Sequence, residues 1–288
     1  MFAPLRLLRW RLMHPDRDRI RRNVISRAER DPRLESDADL RGALEHIRRY
    51  PLRSVLYPVC PAPTVRTRDV QWDPTEQLRY VMHEGKRLYW HDGATAKDVA
   101  RGYAALLAEQ HPNSAHAYCD ERFRVEPGAV VADLGAAEGI FSLSVIERVR
   151  RVHLFECGAQ WQKALAATFR PWRDKVVVHA CLAGRAGQDG QKAIDDLLRD
   201  AEPPTFYKID VEGAEGDVLH GAEKTLARAP SCRIAVCAYH RESDEADLTA
   251  HLSLRGYRVV ATRGWVLLHR WPEFGEPYFR RGVLRAER

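Results

Sequence analysis

Val131-Ala132-Asp133-Leu134-Gly135-Ala136-Ala137-Glu138-Gly139 is the stretch that decides the reading of this chain. A short apolar strand runs into an acid and then into a loop of small residues that opens a helix. Glycine has no Cβ, so such a loop lets the backbone approach a bound small molecule closely. The next apolar run, Val152-His153-Leu154-Phe155, ends in Glu156. An acid one strand along can accept hydrogen bonds from both hydroxyls of a ribose. The pair of features predicts a nucleoside-type cofactor.

The chemistry of the loop narrows the cofactor. A dinucleotide site calls for Gly-x-Gly-x-x-Gly meeting a pyrophosphate at a helix N-terminus. Here the spacing is Asp-x-Gly-x-x-x-Gly, and Asp133 and Glu138 add negative charge that would repel phosphate. They suit a ligand with positive charge. S-adenosylmethionine carries an ammonium and a sulfonium and no phosphate, so it is favoured over NAD or FAD. The competing reading is an ordinary tight turn between a strand and a helix. The correctly placed Glu156 weighs against it.

Working outward, strands are expected near 130–134, 152–156, 176–181, 205–209, 234–239, 257–261 and 265–268. Helices are expected near 139–150, 159–169, 191–200, 214–228 and 243–255. Alternation of this kind implies an α/β fold with a doubly wound, mostly parallel seven-stranded sheet. Only Thr262-Arg263-Gly264 separates the last two strands, too short for a crossover helix, so they should close as a terminal antiparallel hairpin. Such a sheet resembles the Rossmann-like class I methyltransferase sheet. Ligands of open parallel sheets bind beyond the carboxyl ends of the strands.

The division expected is an N-terminal extension over 1–118 and a catalytic domain over 119–288. In the extension, Ser36-Asp37-Ala38-Asp39 resembles a capping box opening a helix that Pro51 stops. Runs 78–82 and 87–90 flank Glu84-Gly85-Lys86 as a hairpin, and 97–110 has helical periodicity. Arg6, Arg9, Arg11, Arg17, Arg19, Arg21, Arg22, Arg27 and Arg30 crowd the start of a chain whose net charge is +6. The apolar residues among them do not form a separate helical face, so a solvated basic segment is favoured over weak peripheral membrane contact.

Composition bounds the rest. The 45% hydrophobic and 30% charged content of 288 residues fits a globular protein with a full core. No apolar run has the ~20 residues needed to span a bilayer, and no signal core opens the sequence, so a cytoplasmic location is expected. The six cysteines show neither a Cys-x-x-Cys pair nor zinc spacing and read as reduced thiols. No basic-aromatic motif points to nucleic acid.

A second motif, Lys208-Ile209-Asp210-Val211-Glu212-Gly213-Ala214-Glu215, follows the strand at 205–209. Asp210 falls at its carboxyl end, beside the expected cofactor. Glu212 and Glu215 begin the next helix, where the dipole favours acids, and Glu215 reads as a simple helix-capping acid. With Asp133-Leu134-Gly135-Ala136-Ala137-Glu138-Gly139, Leu154-Phe155-Glu156, Tyr239-His240 and Phe279-Arg280-Arg281-Gly282-Val283, this octapeptide makes the chain resemble the FkbM family of S-adenosylmethionine-dependent methyltransferases over about 116–285. The resemblance implies a Rossmann-like fold, the cofactor S-adenosylmethionine, and methyl transfer to a hydroxyl of a surface-glycan sugar or a natural product. Two departures stand out. Family members often have Asn where this chain has Ala137 or Glu138. Where an acid often meets the adenine, this chain has Cys181-Leu182-Ala183-Gly184, so backbone groups at Leu182 and Ala183 are expected there, with Asp189 a weak substitute.

The expected cofactor site is thus Asp133, Gly135, Ala136, Glu138, Gly139, Glu156, Leu182, Ala183 and Asp210. An alcohol nucleophile needs a base or a metal. His240, directly after the fifth strand, is the candidate base, since a neutral imidazole can take a proton near pH 7. Asp210 would orient it or the methionine end of the cofactor. Glu212 and Tyr239 would face a hydroxyl-bearing acceptor, most naturally a saccharide. No metal is expected, because no closely spaced ligand motif supports Asp210, Glu212 and His240 as ligands. The alternative function is a non-catalytic scaffold with the same fold, whose basic N-terminus contacts a membrane or a partner. The intact glycines and acids argue for the enzyme.

Overall fold

The computed structural model describes residues 15–52, 55–188, 190–229, 231–267 and 276–288. Its strands in chain order are β1 (Val55–Tyr57), β2 (Gln71–Asp73), β3 (Leu78–His83), β4 (Lys86–Tyr89), β5 (Val130–Leu134), β6 (Arg151–Phe155), β7 (Val176–His179), β8 (Phe206–Ile209), β9 (Arg233–Cys237), β10 (Arg258–Ala261), β11 (Trp265–Leu267) and β12 (Val283–Glu287). Seven form one sheet in the order β10-β12-β9-β8-β5-β6-β7. Every residue of β5 is buried, as its unbroken apolar run requires of a strand covered on both faces. β5 lies parallel to β6 and β8, β6 to β7, and β8 to β9. This is the Rossmann-like, mostly parallel arrangement expected from the alternation.

Strand order reverses between β5 and β8, because the chain runs outward through β6 and β7 and then returns to the other side of β5. That switch point opens a crevice at the carboxyl ends of β5 and β8. The two strand ends nearly touch there. Gly135 has φ +74°, and a Cβ on it would run into the carbonyl oxygen of Asp210. Only glycine fits the turn.

The antiparallel pair at the sheet's end differs from the expected one. The partner of β10 is β12, with Arg258 opposite Glu287 and Ala261 opposite Leu284. β12 then inserts between β10 and β9, antiparallel to both. β11 leaves the sheet altogether and pairs with β1, Tyr57 opposite Trp265. Burial explains the departure. Trp265 is fully buried among Leu40, Leu44, Ile47 and Phe279, so the strand completes the apolar core of the extension. The guanidinium groups of Arg281 and Arg33 lie 3.8 and 4.5 Å from its ring centroid.

The extension is packed onto the sheet domain. The β3–β4 hairpin forms as expected, with Glu84 at φ +48° and Gly85 at φ +78°, the paired positive angles of a two-residue hairpin turn. Its Leu78, Tyr80 and Tyr89 pack against Ala164 and Ala167 of helix Ala159–Phe169. Helix Ala38–Arg49 is capped by Asp37, whose side chain accepts from Leu40 N, one residue beyond the Ser36 read from sequence. Helix Ala96–Glu109 has a reciprocal Thr95–Asp98 capping box. The single helix expected over 214–228 is broken at Ala222 into Glu215–Gly221 and Glu223–Arg228. Arg21 is no membrane-facing charge: it is buried, and donates to the carbonyls of Ile47 at 2.7 Å and Arg48 at 2.6 Å. Arg6, Arg9 and Arg11 lie outside the described residues, as does Asp189. Among the described residues no helix is long and apolar enough to cross a membrane.

Candidate functional site

The glycine loop leaves β5 with its first acid turned inward. Asp133 is 0% exposed. Its Oδ1 is 3.2 Å from Lys208 Nζ, and its Oδ2 accepts from Ser142 Oγ at 2.7 Å. The lysine also donates to the carbonyl of Gly135 at 2.5 Å. Burial opposes the charge on Lys208, yet Asp133 and Asp210 hold its pKa above the ordinary value. Asp133 therefore does not offer its charge to a ligand, as the loop's composition had suggested. It neutralises Lys208 and ties β5 to β8. Gly135 N and Ala136 N donate to the carbonyl of Phe155, and Gly139, at φ +84°, begins helix Ile140–Val145.

Glu138, the other loop acid, is buried and forms no ion pair among the described residues. Loss of solvent raises its carboxyl to about 7, reinforced by Asp133 and Glu109 against the pull of Lys208. Glu109, at the end of helix Ala96–Glu109, is raised to about 7 by burial and by Asp210. Two acids that are half protonated at neutral pH make a place that favours a cation.

Glu156 stands one strand away from this loop. Its Oε2 accepts from Ala137 N at 2.8 Å and its Oε1 from Gly158 N at 2.6 Å. Each oxygen keeps a lone pair for a further donor. Ala137 sits at φ +47°, a conformation that Asn tolerates better than Ala. Beyond β7, the carbonyl of Leu182 accepts from Lys192 N at 2.8 Å, so it is already engaged. Ala183 is buried, while the Leu182 side chain is half-exposed and free to cover a flat apolar ring.

Asp210 gathers the groups on the other side of the crevice. Tyr118 O–H donates to its Oδ2 at 2.6 Å, and Tyr239 O–H to its Oδ1 at 3.5 Å. His116 Nε2 lies 2.8 Å from the Tyr239 hydroxyl. Burial works against the Asp210 charge, but Lys208, His116, His240 and the Tyr118 hydrogen bond bring its pKa down to about 2. Asp210 is a fixed anion at any ordinary pH and no proton acceptor.

His240 is 2% exposed. Its Nε2 lies 3.6 Å from Asp210 Oδ1 and 3.5 Å from Glu212 Oε2, and its Nδ1 lies 2.8 Å from Glu215 Oε1. Burial disfavours its charged form, but Glu215, Asp210 and Glu212 together raise its pKa above the ordinary value. Glu212, at φ +56°, projects into solvent with its side chain 70% exposed. Ligand atoms of Asp210, Glu215 and His240 lie within 4.8 Å of one another, near enough for a metal ion. Glu215 is otherwise engaged, because the same Oε1 that meets His240 accepts from Val211 N at 3.0 Å and Gly213 N at 3.3 Å.

Of the residues expected from sequence, the structure brings Asp210, Glu212, Tyr239 and His240 to one cluster. Gly135, Ala136, Glu138, Gly139 and Glu156 form a second group at the loop. Glu109, His116, Tyr118 and Glu215 were missed. The first three come from the extension, roughly ninety residues before the motif they meet, and carry no local pattern. Glu215 stands within the motif itself, where its place at a helix start reads as a cap.

The chain is similar to known proteins over part of its length. Residues 190–259 match the model of the Methyltransferase FkbM domain. Over those residues the chain is similar to that domain. The match takes in the 208–215 motif and His240, while the glycine loop lies before it. Solved structures resembling this chain include Methyltransferase FkbM from Methylobacillus flagellatus KT, with 25% identity, 57% of this chain and 44% of that chain covered, and a TM-score of 0.43. Another is precorrin-6y C5,15-methyltransferase from Geobacter metallireducens GS-15, at 15% identity, coverages of 57% and 80%, and a TM-score of 0.40. A third is Streptococcus pneumoniae Sp1610, solved in complex with S-adenosyl-L-methionine, at 18% identity, coverages of 56% and 67%, and a TM-score of 0.37. The chain spans less than half the length of the first of these. No curated protein sequence matches it. Strand order rather than these overlaps defines the fold of the chain, and its likeness to the FkbM methyltransferase domain is confined to residues 190–259.

Proposed function

We propose that this FkbM-like protein is an S-adenosylmethionine-dependent O-methyltransferase acting on a hydroxyl of a saccharide or a natural product. One observation carries the reading: a buried histidine, His240, stands beside the anion Asp210 at the switch-point crevice, across from the loop that Glu156 braces. The cofactor's ribose hydroxyls would donate to the lone pairs left on Glu156. Its ammonium and sulfonium would lie toward Glu138 and Glu109. Leu182 would cover the adenine.

The chemistry is an in-line displacement. The acceptor oxygen attacks the methyl carbon, the carbon–sulfur bond breaks, and the bonding pair stays on sulfur as a neutral thioether. The hydroxyl proton passes to His240 Nε2, and from there to solvent. Because the sulfonium is already a good leaving group, the protein mainly supplies position, a contribution of about 7–11 kcal/mol to lowering the barrier. Glu212, the exposed acid next to the base, and Tyr239 are the acceptor-side groups. A sugar, with a second hydroxyl adjoining the first, suits an acid placed 3.5 Å from the base.

Calorimetric titration with S-adenosylmethionine and separately with NAD tests the cofactor, with micromolar binding of the first alone expected. Methyl-labelled cofactor is then offered with a panel of glycosides and polysaccharides. Label held in an alkali-stable ether is the expected product. Failure to bind S-adenosylmethionine, or transfer to a carboxyl or an amine, would overturn the proposal.

A further inference from the structure

Glu215 is fully buried, and among the described residues the one cationic side chain in an ion pair with it is the imidazole of His240. Its Oε1 is anchored by the amides of Val211 and Gly213, and its Oε2 is buried without a hydrogen-bond partner. A carboxylate left in this state is costly unless the structure uses its charge. The amides fix its position, and its Oε1 lies 2.8 Å from His240 Nδ1. With Nδ1 turned to a carboxylate, the ring carries its proton on that nitrogen, and Nε2 is the basic one facing Asp210 and Glu212.

We propose that Glu215 is a positioning residue for methyl transfer: it fixes the Nδ1–H tautomer of His240 and stabilises the imidazolium formed when Nε2 takes the acceptor's proton. The inference rests on the reading of His240 as the base. The pattern is that of a buried carboxylate orienting a histidine base, in which the acid is not itself protonated. It gives the last acid of the 208–215 motif a task that a helix cap does not have.

Several other charged groups face His240 and bear on its titration. Asp210 and Glu212 come from the loop after β8, and Asp244 from the start of helix Asp244–Ser253. His116 comes from the loop before β5, and the Tyr239 ring lies 4.2 Å away. Arg241 adjoins it in the chain, and Arg280 donates to the carbonyl of His240 at 3.0 Å. All remain when Glu215 alone is changed.

The test is nitrogen-15 histidine NMR of the full chain with S-adenosylmethionine bound, comparing wild type with Glu215→Gln. The variant keeps the shape and can still accept from the two amides. Its lost charge should lower the His240 pKa by about one unit or more, and the neutral ring should lose its single tautomer. In turnover, base action needs the neutral ring, so the acid limb of the kcat profile should move to lower pH while kcat at the plateau falls about 100-fold or more and KM holds within about threefold. An unchanged His240 pKa and tautomer would overturn the proposal, as would a fall in kcat with no movement of the limb. Should Glu215→Gln fail to fold, Glu215→Asp decides. There, wild-type kcat would overturn the proposal, and a tenfold or larger loss at constant KM would support it. Undiminished turnover in His240→Asn would reject the base itself. An inactive His240→Asn beside a wild-type Glu215→Gln would reject only the positioning role.

Discussion

At the carboxyl edge of the seven-stranded sheet, two charged pairs are buried, Asp133 with Lys208 and Glu215 with His240. At the amino edge of the same strands, Arg233 meets Glu126 at 2.6 Å and Glu287 at 3.8 Å in solvent-exposed pairs, and Arg258 pairs with Glu287. A cavity of about 500 Å³ opens at that amino edge, lined by Arg124, Gly128, Thr205 and Arg288 among others. Exposed pairs are screened and contribute little, so the amino edge offers water-like charges. The carboxyl edge holds charges that cannot relax into water, and there acids approach neutrality near pH 7 while a neighbour stays ionised down to about pH 2. The chemistry proposed above belongs to the desolvated edge.

Five measurements would sharpen or break this contrast. The largest effect is expected at His240: replacing it with alanine should lower kcat by ~10²–10⁴-fold with cofactor affinity intact. Wild-type turnover would show that the buried edge is not the catalytic one. Next comes Lys208→Met, which strands Asp133 without its partner. Denaturant unfolding should show a loss of ~3–5 kcal/mol, the cost typical of breaking a buried pair. A loss below ~1 kcal/mol would mean that water reaches the pair. Glu156→Ala should weaken S-adenosylmethionine binding by ~1.5–3 kcal/mol in calorimetry, from lost charged acceptors. Unchanged affinity would displace the ribose from this acid.

Glu138 supplies a pH signature of opposite sign to ordinary carboxylates. Its folded-state pKa of about 7 lies above the usual 4.5, so the folded chain holds an extra proton between those values. Stability contributed by the protonated form is therefore lost as pH rises through about 7. Glu138→Gln should match wild type near pH 4 and gain on it progressively up to pH 8, read as a difference in unfolding free energy. A gap that does not change with pH would refute the burial of this carboxyl. The smallest effect is expected at the amino edge: Arg258→Ala should change stability by less than ~0.5 kcal/mol, and still less at high salt.

Much of the architecture was legible because its signals are local. The strands at β5, β6, β8 and β9 are short apolar runs, the glycine loop is contiguous, and the Glu84-Gly85 turn needs only two residues with positive φ. The place of Asp210 and His240 at one rim followed from their positions just after strands of a parallel sheet. Less was legible where partners are far apart in sequence. The insertion of β12 between β9 and β10 depends on Val283–Glu287 finding both neighbours in register, and nothing near Thr262-Arg263-Gly264 announces it. The pairing of Tyr118 with Asp210 spans 92 positions.

By itself, the sequence determined the alternation of strands and helices, the glycine loop with its acids, and the motif that ends in Glu215, since periodicity, turn residues and contiguous motifs are properties of neighbouring residues. Tertiary structure decided what the charges do. Asp133 became the buried partner of Lys208, Glu215 the neighbour of His240, and Trp265 a core residue of the extension. Folding sets which groups lose their water and which opposite charge replaces it, and those two quantities fix the chemical role of each acid and base.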